Sequence, residues 1–333
     1  MKNWNSARKY KKNNNIYLSK NKTSIFVNNS KLNGLILDSL SSKKKTIKFK
    51  KKFPNYWDMI FSYKRNPILE LLHINKNDIC IDYGSMWGVH TIEMAKRSKA
   101  VFSIDQTLSS LQIIKKRALN ENLNNIVLIK DDLKKIYFNN HFTKALVNGV
   151  LEWIPEINNV ILSEDYGKFK KKKVSQNPKV MQLDFLKKVH KSLKPNGVIC
   201  LAIENRFDYK HFLGSKDPHN NLRFTTLLPR FLSNVVSNLL LGRNYVNYTY
   251  SFQEIKKILK EAKFKDIETH AVFPHYHKPE LILNYNFFHF YKRYWDWNAV
   301  TFKSSVRLFI EYVMMKYLKL KFFSPSIIVT GKK

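Results

Sequence analysis

From residue 78 onward, short apolar runs alternate with amphipathic stretches. The runs at 78–83, 100–105, 125–130, 145–148 and 198–203 read as strands. Between the first two, the spacing predicts a helix from His90 to about Ser98. Leu108, Leu111, Ile114 and Ala118 mark one face of a second helix. A third spans Met181 to Leu193 and is closed by Pro195-Asn196-Gly197. Ser251, with Glu254 three residues on, has the pattern of a capping box that opens a fourth. Two late apolar runs, 267–273 and 326–330, are expected to complete the sheet. Strands and helices in this rhythm predict an α/β fold with a mostly parallel sheet.

Some segments break the rhythm. Residues 1–52 are polar and rich in Lys and Asn, with one short apolar piece at 35–40, and are expected to form a loosely ordered basic extension. Residues 53–76 carry a helical pattern over 56–72 and are expected to lead into the main domain, 53–333. Residues 204–250 interrupt the alternation. Residues 275–322 are rich in aromatics, with helical spacing at Val306, Phe309, Ile310, Val313 and Tyr317. Insertions at the carboxyl ends of parallel strands overlie the ligand crevice, so both are expected to act as a substrate lid.

The stretch ICIDYGSMWG, 79–88, runs from a strand into a glycine turn and then a helix. A dinucleotide fold places G-x-G-x-x-G here, with a pyrophosphate at the helix N-terminus. This chain has Met86 at the second glycine position, and Asp82 precedes the turn. A pyrophosphate would meet bulk and negative charge, whereas a phosphate-free ligand with a cationic end would suit the site. Asp105 ends the second strand, 23 positions after Asp82, where a carboxylate can accept both ribose hydroxyls. Asp131-Asp132 ends the third, where an acceptor could take an adenine amino group. A nucleoside with a cationic, phosphate-free tail is S-adenosylmethionine.

Together with Leu146-Val-Asn-Gly-Val-Leu-Glu-Trp153 and Leu193-Lys-Pro-Asn-Gly197, these motifs resemble the class I S-adenosylmethionine-dependent methyltransferase family over roughly residues 66–273. The resemblance implies a Rossmann-like fold: a mostly parallel seven-stranded sheet, helices on both faces, an insertion after strand five and a helical aromatic C-terminal lid. It further implies that Asp82, Gly84 and Gly88 border the methionine moiety, Asp105 holds the ribose and Asp132 the adenine. Asn148 and Gly149 would face the methyl group. A narrower resemblance rests on Asn177–Gln182, Ala202–Arg206, Phe212–His219 and Thr225–Arg230. These segments are similar to a bacterial subgroup found with glycosyltransferases and surface-polysaccharide assembly.

The reaction is an in-line displacement in which the protein orients the acceptor and, for a hydroxyl, removes its proton. Glu204 at a strand's carboxyl end, His219 as a base and Arg206 as an anion clamp are the candidate catalytic groups; loop-shaping roles are the alternatives for His219 and Arg206. His275-Tyr-His277 with Glu280 lacks a firm third ligand and is read as a turn, so no metal is expected. The aromatic cluster 287–297 is read as core beneath a lid. Cys80 and Cys200 fall within strands, as inert core thiols, and a reducing cytoplasm suits them.

The formal net charge is +34, carried mostly by short Lys runs. It admits a polyanion partner or a composition spread over all surfaces; the want of an arginine stripe interleaved with aromatics favours the second. The basic N-terminus lacks a signal-peptide apolar segment, and no run reaches the ~18 apolar residues of a membrane span. A cytoplasmic protein is expected, at most peripheral to the inner face of an anionic membrane. The leading expectation is O-methylation of a glycan, sugar-nucleotide or glycolipid acceptor. An RNA methyltransferase ranks second, because Asn148 is followed by Gly149-Val150 rather than a base-methylation motif. A non-catalytic assembly protein ranks third, with Met86 closing the pocket.

Overall fold

The computed structural model describes residues 10–13, 15–19, 30–155, 177–284, 309, 311, 313, 317 and 320–333. The expected aromatic cluster at 287–297 lies outside them, as does most of the expected C-terminal lid. In chain order the elements are β1 (Tyr10–Asn13), β2 (Ile16–Ser19), α1 (Ser30–Ser39), α2 (Lys43–Lys52), α3 (Pro54–Phe61) and a 3₁₀ segment (Tyr63–Leu72). Then follow β3 (Ile79–Tyr83), α4 (Val89–Arg97), β4 (Ala100–Asp105), α5 (Leu108–Asn120), β5 (Ile126–Lys130) and β6 (Phe142–Asn148). The chain continues through α6 (Pro178–Ser192), β7 (Leu193–Glu204), α7 (Tyr209–Phe212), α8 (Arg230–Leu241) and α9 (Phe252–Glu261). It ends with β8 (Lys265–Phe273), β9 (Leu281–Asn284) and β10 (Ser326–Lys332).

The sheet has ten strands in the order β1-β2-β5-β4-β3-β6-β7-β10-β8-β9, not the expected seven. The run β2-β5-β4-β3-β6-β7 is parallel throughout, and β10 enters antiparallel between β7 and β8. The three additional strands are β1, β2 and β9, at the two edges. Alternate residues of the central strands feed opposite faces. Ile81, Phe102, Ala145 and Leu201 join α6 and α9 in one core, while Cys80, Val101, Leu146 and Cys200 pack on the 3₁₀ segment and α4 in another. Helices thus cover both faces, as expected. Both thiols are buried in these cores, and burial pushes Cys80 up to about 12, so neither is a nucleophile at neutral pH.

The residues expected to form a loose extension carry two strands and two helices. Ile16 of β2 is buried against α4 and α5, and α1 with the turn after it brings Ile36 and Leu40 onto Trp87 and Ile113. The continuous helix expected over 56–72 divides at Ser62 into α3 and the 3₁₀ segment, with Pro67 inside the latter. Proline removes a backbone donor, which favours this break from regular α-helix. The turn expected at Pro195-Asn196-Gly197 is absorbed into β7. Leu193 pairs with Phe142, the next segment bulges with Asn196 at φ 61°, and Val198 resumes pairing with Lys144. The capping box forms as expected: Ser251 Oγ accepts from the Glu254 N–H and Glu254 Oε2 from the Ser251 N–H.

Candidate active site

Strands β3, β4, β6 and β7 run parallel and end on the same side of the sheet at Tyr83, Asp105, Asn148 and Glu204. A cavity of about 470 Å³ opens there, within the range of roughly 300–1,000 Å³ typical of small-molecule sites. The glycine turn forms one wall. Gly84, Met86 and Gly88 all have positive φ, at 74°, 48° and 77°. Two of these are glycines, for which that conformation is free; Met86 adopts it because Asp105 Oδ2 accepts its N–H at 2.8 Å. Gly88 caps α4 without lining the cavity, and a Cβ there would strike Ile114 Cγ1 at 2.6 Å. Its role is close packing of α4 on α5.

Asp105, Gln106 and Leu133 line one end of the cavity. Asp105 accepts from the Met86 and Thr107 amides, one on each oxygen, at 2.8 Å. Each oxygen retains a second lone pair. Burial still raises its pKa to about 6, outweighing those amide bonds. Asp132 does not line the cavity. It is buried, its Oδ1 accepts the Lys134 N–H at 2.9 Å, and its neighbour Leu133 contributes instead. Asp82 lines the middle, also raised to about 6 by burial, and accepts the Thr91 hydroxyl at 2.5 Å.

Three groups around this middle region were not predicted. Arg65, half-buried, donates to the backbone carbonyls of Met59 and His277. His90 lies 2.9 Å from Asn148 Nδ2 and is held neutral by burial, with Arg65 and His277 reinforcing the effect. Asn33 comes from α1, where its Oδ1 accepts the Trp87 indole N–H at 2.9 Å. Thus the N-terminal segment builds part of the cavity wall.

Beyond Asn148 and Gly149 lies a cluster of titratable groups. Gly149 has φ 65°, and a Cβ on it would run into the Tyr276 ring. Tyr276 is buried and donates from its hydroxyl to Glu204 Oε1 at 3.0 Å, with Glu152 Oε1 at 3.4 Å. His219 Nδ1 lies 2.8 Å from Asp217 Oδ1, and its Nε2 lies 3.8 Å from Glu204 Oε2. Burial pulls His219 down, but the Asp217 hydrogen bond and the charges of Glu204, Asp217 and Glu152 outweigh it and raise its pKa to about 9. Burial, then repulsion from Glu204, pushes the Glu152 carboxyl well above the usual range. The structure therefore brings Glu204 and His219 together and adds Glu152 and Tyr276. The expected turn at 275–277 delivers the tyrosine and sets His277 in the cavity wall.

Arg206 is a correction. It lies outside the cavity and holds the insertion in place. Its guanidinium donates to Glu254 Oε1 at 2.6 Å, the Leu228 carbonyl at 2.8 Å and the Thr226 carbonyl at 3.1 Å. Because those carbonyls would be left unpaired, Arg206→Ala is expected to destabilise the fold by about 3 kcal/mol. It should leave cofactor affinity within about twofold, well below the tenfold that 1.4 kcal/mol would bring. Thermal melting and titration calorimetry on one preparation check both; a large loss of affinity with an unchanged melting temperature would return Arg206 to the site.

The donor set fits S-adenosylmethionine. The carboxylates of Asp82 and Asp105, Arg65 at mid-cavity and, among the described residues, no lining lysine suit a nucleoside whose tail carries a sulfonium and a carboxylate rather than a pyrophosphate. Among known proteins, a probable ribosomal RNA small subunit methyltransferase A from Methanosphaera stadtmanae is 37% identical over 87 residues, 26% of this chain and 31% of that one. A probable cobalt-precorrin-6B C(15)-methyltransferase (decarboxylating) from Methanocaldococcus jannaschii is 33% identical over 88 residues, 26% of this chain and 48% of that one. The chain thus spans less than half the length of these curated relatives. A solved S-adenosylmethionine-dependent methyltransferase from Mesorhizobium loti is similar at 12% identity and TM-score 0.47, over 80% of this chain and 96% of that one. Residues 74–263, more than half of the chain, match the model of a methyltransferase domain, and the chain belongs to that family, the class I S-adenosylmethionine-dependent methyltransferases.

Proposed function

We propose that the whole protein transfers a methyl group to a hydroxyl on a glycan, sugar-nucleotide or glycolipid acceptor. Bound in the cavity, the cofactor supplies an electrophilic methyl on a sulfonium. Asp105 and Gln106 would hold its nucleoside, and Asp82, Gly84 and Arg65 its methionine portion. The observation that carries the acceptor reading is the origin of the cluster beyond Gly149. Two of the segments that resemble the polysaccharide-associated subgroup, Ala202–Arg206 and Phe212–His219, contribute Glu204, Pro218 and His219 to the cavity. Glu204 would take the proton of the acceptor hydroxyl, with Glu152 and His219 setting the charge around it, and a proton acceptor of this kind contributes typically 10²–10⁴-fold.

A lipid-linked form of the acceptor draws support from α8 in the same insertion. Phe231 and Leu239 are 68% and 80% exposed, with Val235 and Leu240 beside them. An apolar helix face on a chain of net charge +34 suits an anionic membrane surface. No helix among the described residues is long and apolar enough to cross a membrane.

The test is transfer of labelled methyl from the cofactor to fractionated cell material. Label in the sugar or lipid-linked sugar fraction is the expected result. Label confined to RNA would favour an RNA methyltransferase, the activity one relative is named for and one use for the positive charge. A folded protein that binds no cofactor and labels nothing would be the non-catalytic assembly protein.

A further inference from the structure

We infer that Glu152 Oε2, Glu204 Oε2 and His219 Nε2 form a binding site for one first-row divalent cation at the acceptor end of the cavity. Three separate segments deliver these groups: the 3₁₀ turn Leu151–Trp153 after β6, the last residue of β7, and the loop after α7. One ligand atom from each residue lies within 4.8 Å of the other two, and His219 Nε2 is 3.8 Å from Glu204 Oε2; rotation of the carboxylates would have to close these to ligand distances of roughly 2.0–2.2 Å from a shared ion.

The surroundings aim these three atoms at one point. Tyr276 occupies the Oε1 side of both carboxylates. The two Oε2 atoms are buried and, among the described residues, have no hydrogen-bond partner. Glu152 is 0% exposed, so its unpaired oxygen is cut off from bulk solvent. Ionised Asp217 can only accept, so it holds a ring proton on Nδ1, and a cation displacing the proton on Nε2 would meet a lone pair turned toward the carboxylates. A carboxylate that orients a histidine from behind is the usual second layer of a metal site. Two carboxylates and one imidazole suit Mn²⁺, Fe²⁺ or Zn²⁺.

An ion there would neutralise the two carboxylates and offer open positions to an acceptor oxygen, lowering the cost of its proton loss. That use rests on the methyl-transfer proposal; the binding itself does not. The competing arrangement fills the same space with protons, one on Glu152 and one on His219.

Titration of metal-stripped full chain with Mn²⁺, followed by the free-ion paramagnetic resonance signal, separates the two. One ion per chain in the micromolar range is expected. Glu152→Gln and Glu204→Gln, which keep size and the tyrosine contact, should each weaken it by about 10- to 100-fold. The exposed carboxylate variant Asp266→Asn should not. Should Glu152→Gln fail to fold by circular dichroism, Glu204→Gln and His219→Gln carry the comparison. Absence of saturable binding in the wild type, or binding indifferent to all three variants, overturns the site. Cofactor titration in the same samples keeps the two proposals apart. Cofactor binding without Mn²⁺ removes the ion and leaves methyl transfer standing; Mn²⁺ binding without cofactor does the reverse.

Discussion

Replacing Asp105 by asparagine is expected to weaken S-adenosylmethionine binding by about 100-fold while leaving the free protein about as stable as before. The affinity loss follows from the charge: a carboxylate accepting both ribose hydroxyls makes two charge-assisted bonds, each worth about 1.5–3 kcal/mol, and an amide retains at best one neutral acceptor. Stability follows from burial. The rise of the Asp105 pKa from 3.8 to about 6 corresponds to about 3 kcal/mol of unfavourable ionisation at neutral pH, and the amide removes it. Against that gain, one of the Met86 and Thr107 amides loses its acceptor, at a cost of about 1–3 kcal/mol. The opposing effects nearly cancel. A distinct pH dependence follows. Asp82 and Asp105 both ionise near pH 6, so wild-type affinity should fall as pH drops through 6, by as much as about tenfold per unit for each group that must be ionised. The variant should show a shallower fall, with Asp82 alone responsible. Calorimetry between pH 5 and 8, with melting curves alongside, checks both. An unchanged dissociation constant at pH 7 would remove Asp105 from the cofactor site.

The parts of this site that could be read in the sequence are those set by local pattern. Asp82 and Asp105 stand at strand ends because apolar runs of strand length stop there, and the helix signals fix which side of the sheet they face. The capping box was legible for the same reason. What escaped was set by contacts distant in sequence. The strands β1 and β2, YKKN and IYLS, lie at a sheet edge where only Ile16 is buried, so they lack the continuous apolar pattern of the inner strands. Arg206 looked like a site residue beside Glu204, yet its partner Glu254 is 48 positions away inside the capping box, where one carboxylate serves both helix and arginine. Glu152 sits within a quoted motif, but only the fold shows that it faces Glu204 and His219. Tyr276 was visible as a turn residue. The bare backbone of Gly149 is what lets its ring approach the site. Asp132 shows the limit of strand-end counting, since a one-residue displacement gives the cavity Leu133 instead.

Glu204→Gln should lower methyl transfer by about 10²–10⁴-fold with cofactor affinity unchanged. The substitution keeps side-chain length and an oxygen to accept the Tyr276 hydroxyl, which Glu204 Oε1 now accepts at 3.0 Å. What it deletes is negative charge 3.8 Å from His219 Nε2 and against Glu152. Whether the acceptor hydroxyl passes its proton to these groups or is polarised by an ion among them, that charge is needed as the hydroxyl becomes an alkoxide. The loss should therefore appear in kcat more than in the KM of the acceptor, and not in the dissociation constant of the cofactor. Fold damage is not expected, because the change relieves repulsion between two neighbouring carboxyls. Tyr276→Phe supplies the graded comparison. It keeps the ring that packs against Gly149 and removes only the donor that fixes both carboxylates, so a smaller loss of about tenfold is expected. If Glu204→Gln instead leaves turnover intact and Tyr276→Phe abolishes it, the tyrosine hydroxyl is the group that meets the acceptor. Glu204 would then be reduced to holding that hydroxyl in place.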